Sequence, residues 1–516
     1  MRIGIMFVYV DYHRQGQRRR FSMQPQIGPL LAGLLPRDID IEIINETWRE
    51  PDWGKDYDLL FLSCMHSDFD RARQISHYWR RRDAKTVLGG SFASSYPTLC
   101  QPYFDAIAVG DPEGMIGNIY RDFCDGKLQT VYVSTDYDGA AVATPRFDLM
   151  VNQSAHALCF EATRGCPFIC EFCVLTGLGT RHHTRSVEMV LRDIAQGQAM
   201  LRGQTPSYLR RVIGFCDNNI GGDLAYLREL CHAMTPLNVQ WYGAATFNVV
   251  ANRELVSMLA RSGCRALFVG LESFNPTTLD AMHKHQNVLH KIKATIDMCR
   301  DHGILIVSGL MVSPQTDDVA YIRRIPEYLA ECGLHVPTFI CFESPIPGTP
   351  HFLRLAKEAQ SPFLPNALLR DFSGYTLVVQ PGLNSQAEFL DAYRQTVSEV
   401  YSLRNKARKL ADDLPRFIKR GVWLPALIDG LDVCATNPVP ALNRSLVAGT
   451  DAPPPEQVPL TQGDFESEEH MRQILTPWQV TDRDGRVLQT WLHPNKVFDS
   501  DREKTLRRQR RTASAG

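Results

Sequence analysis

LCFEATRGCPFICEFC, residues 158–173, sets Cys166, Cys170 and Cys173 at a CxxxCxxC spacing directly after a short apolar stretch that reads as a strand. Three thiolates suit a borderline or soft metal, either zinc or an iron–sulfur cluster. A structural zinc site wants four protein ligands, and no fourth Cys or His sits at finger spacing. Iron–sulfur clusters are ordinarily held by four Cys, so three leave one iron for a substrate or cofactor to coordinate.

Working outward, apolar strands close at about Phe160, Phe215, Tyr242, Leu271, Ser308 and Phe342, each followed by a helix-period segment. Six β/α repeats predict an open barrel over 150–352, with functional groups where strands end and loops begin. Asn252 and Asp317 stand where helix N-caps belong, and Gly263 and Gly303 where helices end. Residues 1–145 alternate in the same way, with strands expected at Ile3–Val10, Ile39–Ile44, Leu59–Leu62, Thr86–Leu88 and Ala106–Val109. Helices are expected between them at Gln26–Leu35, Phe69–Arg81 and Glu113–Cys124, which makes a Rossmann-like domain of five strands. Beyond Pro350 the repeat is lost. Ser385-Gln-Ala-Glu388 is a capping box opening a helix with Phe389, Tyr393, Val397, Val400 and Tyr401 on one stripe. The fold class is therefore α/β: a Rossmann-like domain, a partial barrel, and a mainly helical region over 353–516 that caps a substrate cleft. That region contains a Pro-rich stretch, Asn437–Gln462, and ends on the basic segment KTLRRQRRTASAG.

The 516 residues are 44% hydrophobic and 22% charged, a globular balance with room for two to four domains. The 56 Lys+Arg against 57 Asp+Glu give a net charge of −1, so no basic surplus argues for nucleic acid, and the run Arg18-Arg19-Arg20 reads as an exposed face. The longest apolar run, Gly303–Val312, is half of the roughly 20 residues a membrane helix needs. The opening MRIGIMFVYV lacks a small-residue cleavage site and reads as a buried strand, not a signal peptide. The 14 Cys, scattered mostly through apolar segments, fit reduced core residues of a cytoplasmic protein.

The CxxxCxxC loop, with aromatic Phe172 before its last Cys, resembles the signature of the radical S-adenosylmethionine (SAM) superfamily. The resemblance implies that Cys166, Cys170 and Cys173 ligate a [4Fe–4S] cluster whose fourth iron chelates SAM, and that reductive cleavage yields a 5′-deoxyadenosyl radical. It further implies that Asp217, in Phe215-Cys-Asp-Asn-Asn219, meets the methionine ammonium, although a turn or capping role suits it equally. Gly270-Leu-Glu-Ser273 looks like the family's Gly-Leu-Glu-Ser segment, which would bring Glu272 and Ser273 towards the cofactor. Val307–Val312, Met311 among them, would line its adenine side, and Ser344–Pro350 is similar to the family's Pro-Gly-Thr-Pro turn. A reductase or a flavodoxin- or ferredoxin-type protein would supply the electron.

Residues 11–16, DYHRQG, with Ser63-Cys-Met65 and Gly89-Gly90, resemble the cobalamin-binding domain of cobalamin-dependent radical SAM enzymes. There His13 would ligate cobalt, and Ser63, Met65, Gly89 and Gly90 would admit the nucleotide tail. The spacing from Gly16 to Ser63 is long and that from Met65 to Gly89 short, so His13 as an ordinary loop histidine, and a Rossmann-like domain without cofactor, both stay open. No GxGxxG follows the first strand, so the domain is not a nicotinamide site by motif. Together the two resemblances imply a C-methyltransferase acting on an unactivated carbon of a small-molecule or peptide intermediate. The same domains also serve ring contraction, cyclisation or oxidation without methyl transfer, and a cobalamin- or metal-binding sensor is the reading outside enzymes.

Overall fold

The computed structural model describes residues 1–10, 26–134, 137–150, 158–435, 438–439, 442, 446–449 and 458–487. Its first sheet is wholly parallel, with strands β1 (Arg2–Phe7), β2 (Asp40–Asn45), β3 (Leu59–Ser63), β4 (Lys85–Gly89), β5 (Ala106–Gly110) and β6 (Val131–Ser134) in the order β2-β1-β3-β4-β5-β6. Both faces are covered, as a parallel sheet requires. Ile3, Ile5, Leu59 and Phe61 face the helices Ile27–Gly33 and Ile116–Cys124, while Met6, Leu60, Leu62 and Leu88 face the helix Phe69–Arg80 with its fully buried Trp79. The chain leaves β1 for β2 on one side and reaches β3 on the other, so the crevice beyond the carboxyl ends of β1 and β3 is a topological switch point. The sequence predicts five strands here and the structure has six. The missed one, β6, is a four-residue edge whose Val133 is exposed, too short and too half-buried to stand out by periodicity. The predicted first strand also ends early, at Phe7.

The second sheet is the partial barrel: β7 (Cys159–Phe160), β8 (Val212–Phe215), β9 (Gln240–Ala245), β10 (Cys264–Val269) and β11 (Leu305–Val307) run parallel in chain order, and β12 (Gly309–Val312) pairs with β13 (Phe339–Phe342). The fifth predicted strand thus closes one residue before its expected end, and β12 follows directly after Ser308. Its hydroxyl donates to the Val269 carbonyl at 2.7 Å, and the ladder resumes where Glu272 pairs with Leu310. β9 runs to Ala245, past the Tyr242 end predicted for it. Asn252 caps its helix as expected, but for the helix Val319–Glu331 the cap is Asp318; Asp317, the residue predicted, is buried one position earlier and accepts from the Ser313 amide and the Thr278 hydroxyl.

The C-terminal region divides. The Ser385 capping box forms as predicted, and the helix Gln386–Val400 seals the outside of the barrel, its Tyr393 hydroxyl donating to the Ile340 carbonyl at 2.8 Å. The mainly helical region is expected to cap the cleft, but its helical hairpin, Leu403–Lys419 and Trp423–Ala435, lies at the opposite end: Phe417, Val422, Ala426 and Ile428 pack on Tyr242, Ala266, Leu305 and Val307. The floor is where an open barrel needs filling, and this is the most apolar helix of the region. The stretch that does reach the upper rim is non-helical: Gly374 O accepts from the Phe342 amide, and Phe372 O meets His66 Nε2 of the first domain at 2.6 Å. Of the Asn437–Gln462 stretch little is described, and the basic C-terminal segment lies outside the described residues.

Burial pushes the His66 imidazole down to about 4. A histidine with a depressed folded-state value contributes stability that is complete above its unfolded value near 6.5 and is lost as pH falls through that value towards 4. The difference in urea-unfolding free energy between the native sequence and His66→Gln, measured on metal-free protein, is therefore expected to shift by up to about 3 kcal/mol against the native sequence from pH 7 to pH 4. A pH-independent difference overturns the assignment.

Candidate functional site

The cysteine loop begins at a constrained junction. Gly165 adopts φ +81°, and a side chain there would run into the Arg181 carbonyl. One residue earlier, Arg164 forks between two domains: its guanidinium lies 2.7 Å from Asp111 and 2.9 Å from Glu113, both just after β5 in the first domain, and 2.8 Å from Glu161 on its own strand end. The helix Ser91–Ser95, which follows Gly89-Gly90, packs against Val174–Leu178, which follows Cys173. The carboxyl edge of the first sheet is thereby held against the cysteine loop.

Each thiol is buried or half-buried, and burial pushes all three above the usual thiol range. Each also receives N–H donors: Cys166 from the Phe168 amide and from Asn219 Nδ2 at 3.7 Å, Cys170 from Gln286 Nε2 at 3.9 Å, and Cys173 from the Leu175 and Thr176 amides. Such donors stabilise sulfur as thiolate and fit a ligand set for a cluster. Among the described residues no three His, Cys, Asp or Glu converge on a single ion.

The segment His283–Asn287, which carries no motif in the sequence, joins this loop to the Glu272 turn. Lys284 Nζ lies 2.7 Å from Glu272 Oε1 and 5.8 Å from the centre of the Phe172 ring, and Asn287 Nδ2 donates to the Gly270 and Leu271 carbonyls. Glu272 sits at φ +63°, a conformation costly for a residue with a side chain and held by these bonds. The Glu272 carbonyl accepts from the Met311 amide at 2.7 Å. Cys166, Cys170, Phe172, Cys173, Glu272 and Met311 thus share one neighbourhood.

Asp217 and Ser273 are occupied elsewhere. Burial pushes the Asp217 carboxyl up to about 7, and its two oxygens accept from the Ala162 and Thr163 amides, which anchors the strand end leading to the loop. The Ser273 hydroxyl bonds Tyr321 at 2.8 Å and the Asn275 amide at 3.0 Å. Ser63, Gly89 and Gly90 form the carboxyl edge of the first sheet, while Met65 is exposed. Gly90, at φ +98°, has the Ser63 hydroxyl and the Cys64 backbone where a Cβ would go; over Gly89 only Ala108 would be touched, at 3.8 Å. His13 lies outside the described residues.

Inside the barrel Ala244, Phe268, Val307, Met311, Phe339 and Cys341 are only half-buried, whereas the alternate strand residues facing the outer helices are buried, so the lumen is hollow above its floor. At its rim stands a second pair the sequence did not mark: Glu343, pushed up to about 7 by burial, with His351 Nδ1 at 3.6 Å, pushed down to about 4. Their signal was the strand-end position of Glu343; nothing local announced its partner.

Residues 160–324 match the profile of the Radical SAM superfamily. Bacteriochlorophyllide d C-8(2)-methyltransferase of Chlorobaculum tepidum is 24% identical over 331 residues, which are 62% of this chain and 73% of that protein. Hopanoid C-2 methylase of Rhodopseudomonas palustris is 25% identical over 355 residues, 66% of this chain and 65% of that one. The fold is shared with the radical SAM methyltransferase TsrM of Kitasatospora setae (TM-score 0.59, 14% identity, 79% of this chain and 90% of that one) and with the cobalamin-dependent SAM radical enzyme OxsB (0.56, 13%, 92% and 78%).

Arg164→Met leaves Glu113 and Glu161 buried without their cation. Breaking such a pair costs about 3–5 kcal/mol, so a large drop in the denaturation midpoint of metal-free protein is expected. Arg164→Lys, a point charge in place of a planar fork, is expected to recover only part of it. Full recovery by lysine overturns the fork.

Proposed function

Taking the chain as a radical SAM protein over residues 160–324, we propose that it is a cobalamin-dependent methyltransferase that places a methyl group on an unactivated carbon of a small biosynthetic intermediate. The single observation that carries this reading is the seating of the first sheet's carboxyl edge on the cysteine loop through Arg164 and the Ser91–Ser95 helix, which brings two cofactor surfaces to one chamber. The names of the curated relatives, bacteriochlorophyllide and hopanoid methylases, favour methyl transfer over ring contraction, cyclisation or oxidation.

In this reading Cys166, Cys170 and Cys173 hold the [4Fe–4S] cluster, and the crevice beyond β1 and β3, bordered by Ser63 and Gly89-Gly90, holds cobalamin. When bound, the cluster with SAM supplies a carbon-centred radical, and cobalamin supplies the methyl group. The protein's own part is placement and exclusion of water. Asn219 and Gln286 balance charge on sulfur, Lys284 offsets the anionic centre while held by Glu272, and Asp217 fixes the approach to the loop. Met311, Phe268, Phe339 and Cys341 give the lumen an apolar wall suited to a largely apolar substrate, and Glu343 with His351 is placed to meet a polar group on it. An external reductase delivers the electron.

Iron, sulfide and cobalamin are measured per chain after anaerobic reconstitution, beside a Cys166→Ala/Cys170→Ala/Cys173→Ala variant. The expected outcome is a cluster lost in the variant and cobalamin retained in both, with a product heavier than substrate by one CH2. Cluster without cobalamin, or turnover without the added CH2, overturns methyl transfer in favour of the other radical reactions.

A further inference from the structure

The hairpin under the barrel has a second face, which the reaction does not use. Its inner face is locked: Lys409 Nζ lies 3.0 Å from Asp413 and 2.6 Å from Asp429, Arg300 reaches Asp413, Arg416 pairs with Asp297 at 2.7 Å, and His335 meets Asp412 at 2.7 Å. Both helices are therefore fixed to the barrel, and their outward face is a rigid surface.

That face is apolar to an unusual degree. Of the twelve large apolar side chains exposed among the described residues, five fall on this hairpin: Leu403, Ile418, Trp423, Leu427 and Leu431. Leu403 is 85% exposed and Ile418 70%, well beyond what packing at a helix edge leaves. Trp423, Leu427 and Leu431 recur every four residues and make one stripe, with Trp423 beside the Gly421 turn at the tip. The exposed charges around the stripe are mainly positive. Arg404, Arg408, Lys419 and Arg420 are exposed; of the hairpin's acids, Asp413 and Asp429 are buried, Asp432 is half-buried and accepts from the Thr338 hydroxyl, and Asp412 is exposed beside His335. A chain with net charge −1 has thus gathered cations round its main apolar exposure.

We propose that this hairpin docks on an anionic lipid surface, with Ile418, Trp423 and Leu427 entering the headgroup boundary and Lys419, Arg420, Arg404 and Arg408 meeting lipid phosphates. An apolar stripe with an aromatic end and a cationic margin is the pattern of a helix lying in a membrane interface. A second copy of the chain suits the face less well, because a twofold contact sets the same four cations against one another. Docking at the floor leaves the cysteine loop, at the other end of the strands, facing away from the lipid. The inference stands independently of the reaction catalysed.

The full chain is tested by co-sedimentation with vesicles of phosphatidylcholine containing about one third phosphatidylglycerol, and with phosphatidylcholine alone, at low and high salt. Lys419→Glu/Arg420→Glu and Trp423→Ser/Leu427→Ser are compared, with thermal melts confirming that each exposed-site variant folds. Binding to the anionic vesicles, weakened by salt and at least ~10-fold weaker in both variants, is the expected result. Absence of binding, or equal binding by the native chain and both variants, overturns the proposal. A concentration-dependent dimer that the Trp423→Ser/Leu427→Ser variant abolishes, without lipid binding, also overturns it and assigns the face to a second copy.

Discussion

The guanidinium of Arg164 is the joint on which the molecule depends. It meets three carboxylates, two from the turn after β5 and one from the strand that delivers the cysteine loop, and it is itself little exposed, over the face of Tyr137. Glu113 and Glu161 are nearly excluded from water, so each would be costly alone, and only a planar donor with several N–H groups can serve them together. Two sheets whose apolar residues already meet in one continuous core are thereby also tied by charge. Because Arg164 precedes Gly165 and Cys166, the same bonds that join the domains also set where the thiols begin.

The hollow above the floor follows from packing on the two faces of the barrel strands. Outward residues such as Trp241, Leu267 and Ile340 are large and buried against helices, while the inward positions include Gly214, Ala244, Gly309 and the slender Met311. Phe339 and Phe268 stack at 6.0 Å over the gap that Gly309 leaves. Six strands do not close a barrel that side chains alone would fill, and the hairpin supplies the missing floor with Phe417, Val422, Ala426 and Ile428. The rim is left open to the crevice of the first sheet, so the barrel is closed below and open above.

Features carried by local pattern were legible in the sequence: the thiol spacing, the β/α rhythm, and the Ser385 capping box, whose two bonds span three residues. Features that depend on distant partners were not. Two of the three carboxylates that Arg164 meets lie 51 and 53 positions away, and Lys284 finds Glu272 across a turn whose chain gives no periodic signal. Asp317 and Asp318 are adjacent and chemically identical, so only the fold decides which caps the helix and which is buried against Thr278. The mainly helical character of the region after Pro350 was legible, but its place in the fold, expected as a cap over the cleft, was not. The open floor of a six-stranded barrel decides it, and that is a property of the tertiary structure.

The site residues separate in the same way into those that face the chamber and those that aim others. Ser273 and Asp217 have their polar atoms satisfied by Tyr321, Asn275 and two backbone amides, so their work is to hold the turn and the strand end. Glu272 holds Lys284, and Lys284 in turn lies over Phe172 beside the thiols. A buried ammonium needs a counter-charge, and three thiols made anionic by a metal would need one as well. Lys284 can answer to both, which explains why a lysine is buried here and why Glu272 is held in a costly backbone conformation to meet it. The carboxylate that sequence resemblance directed at a cofactor is, in the folded chain, first the partner of this lysine.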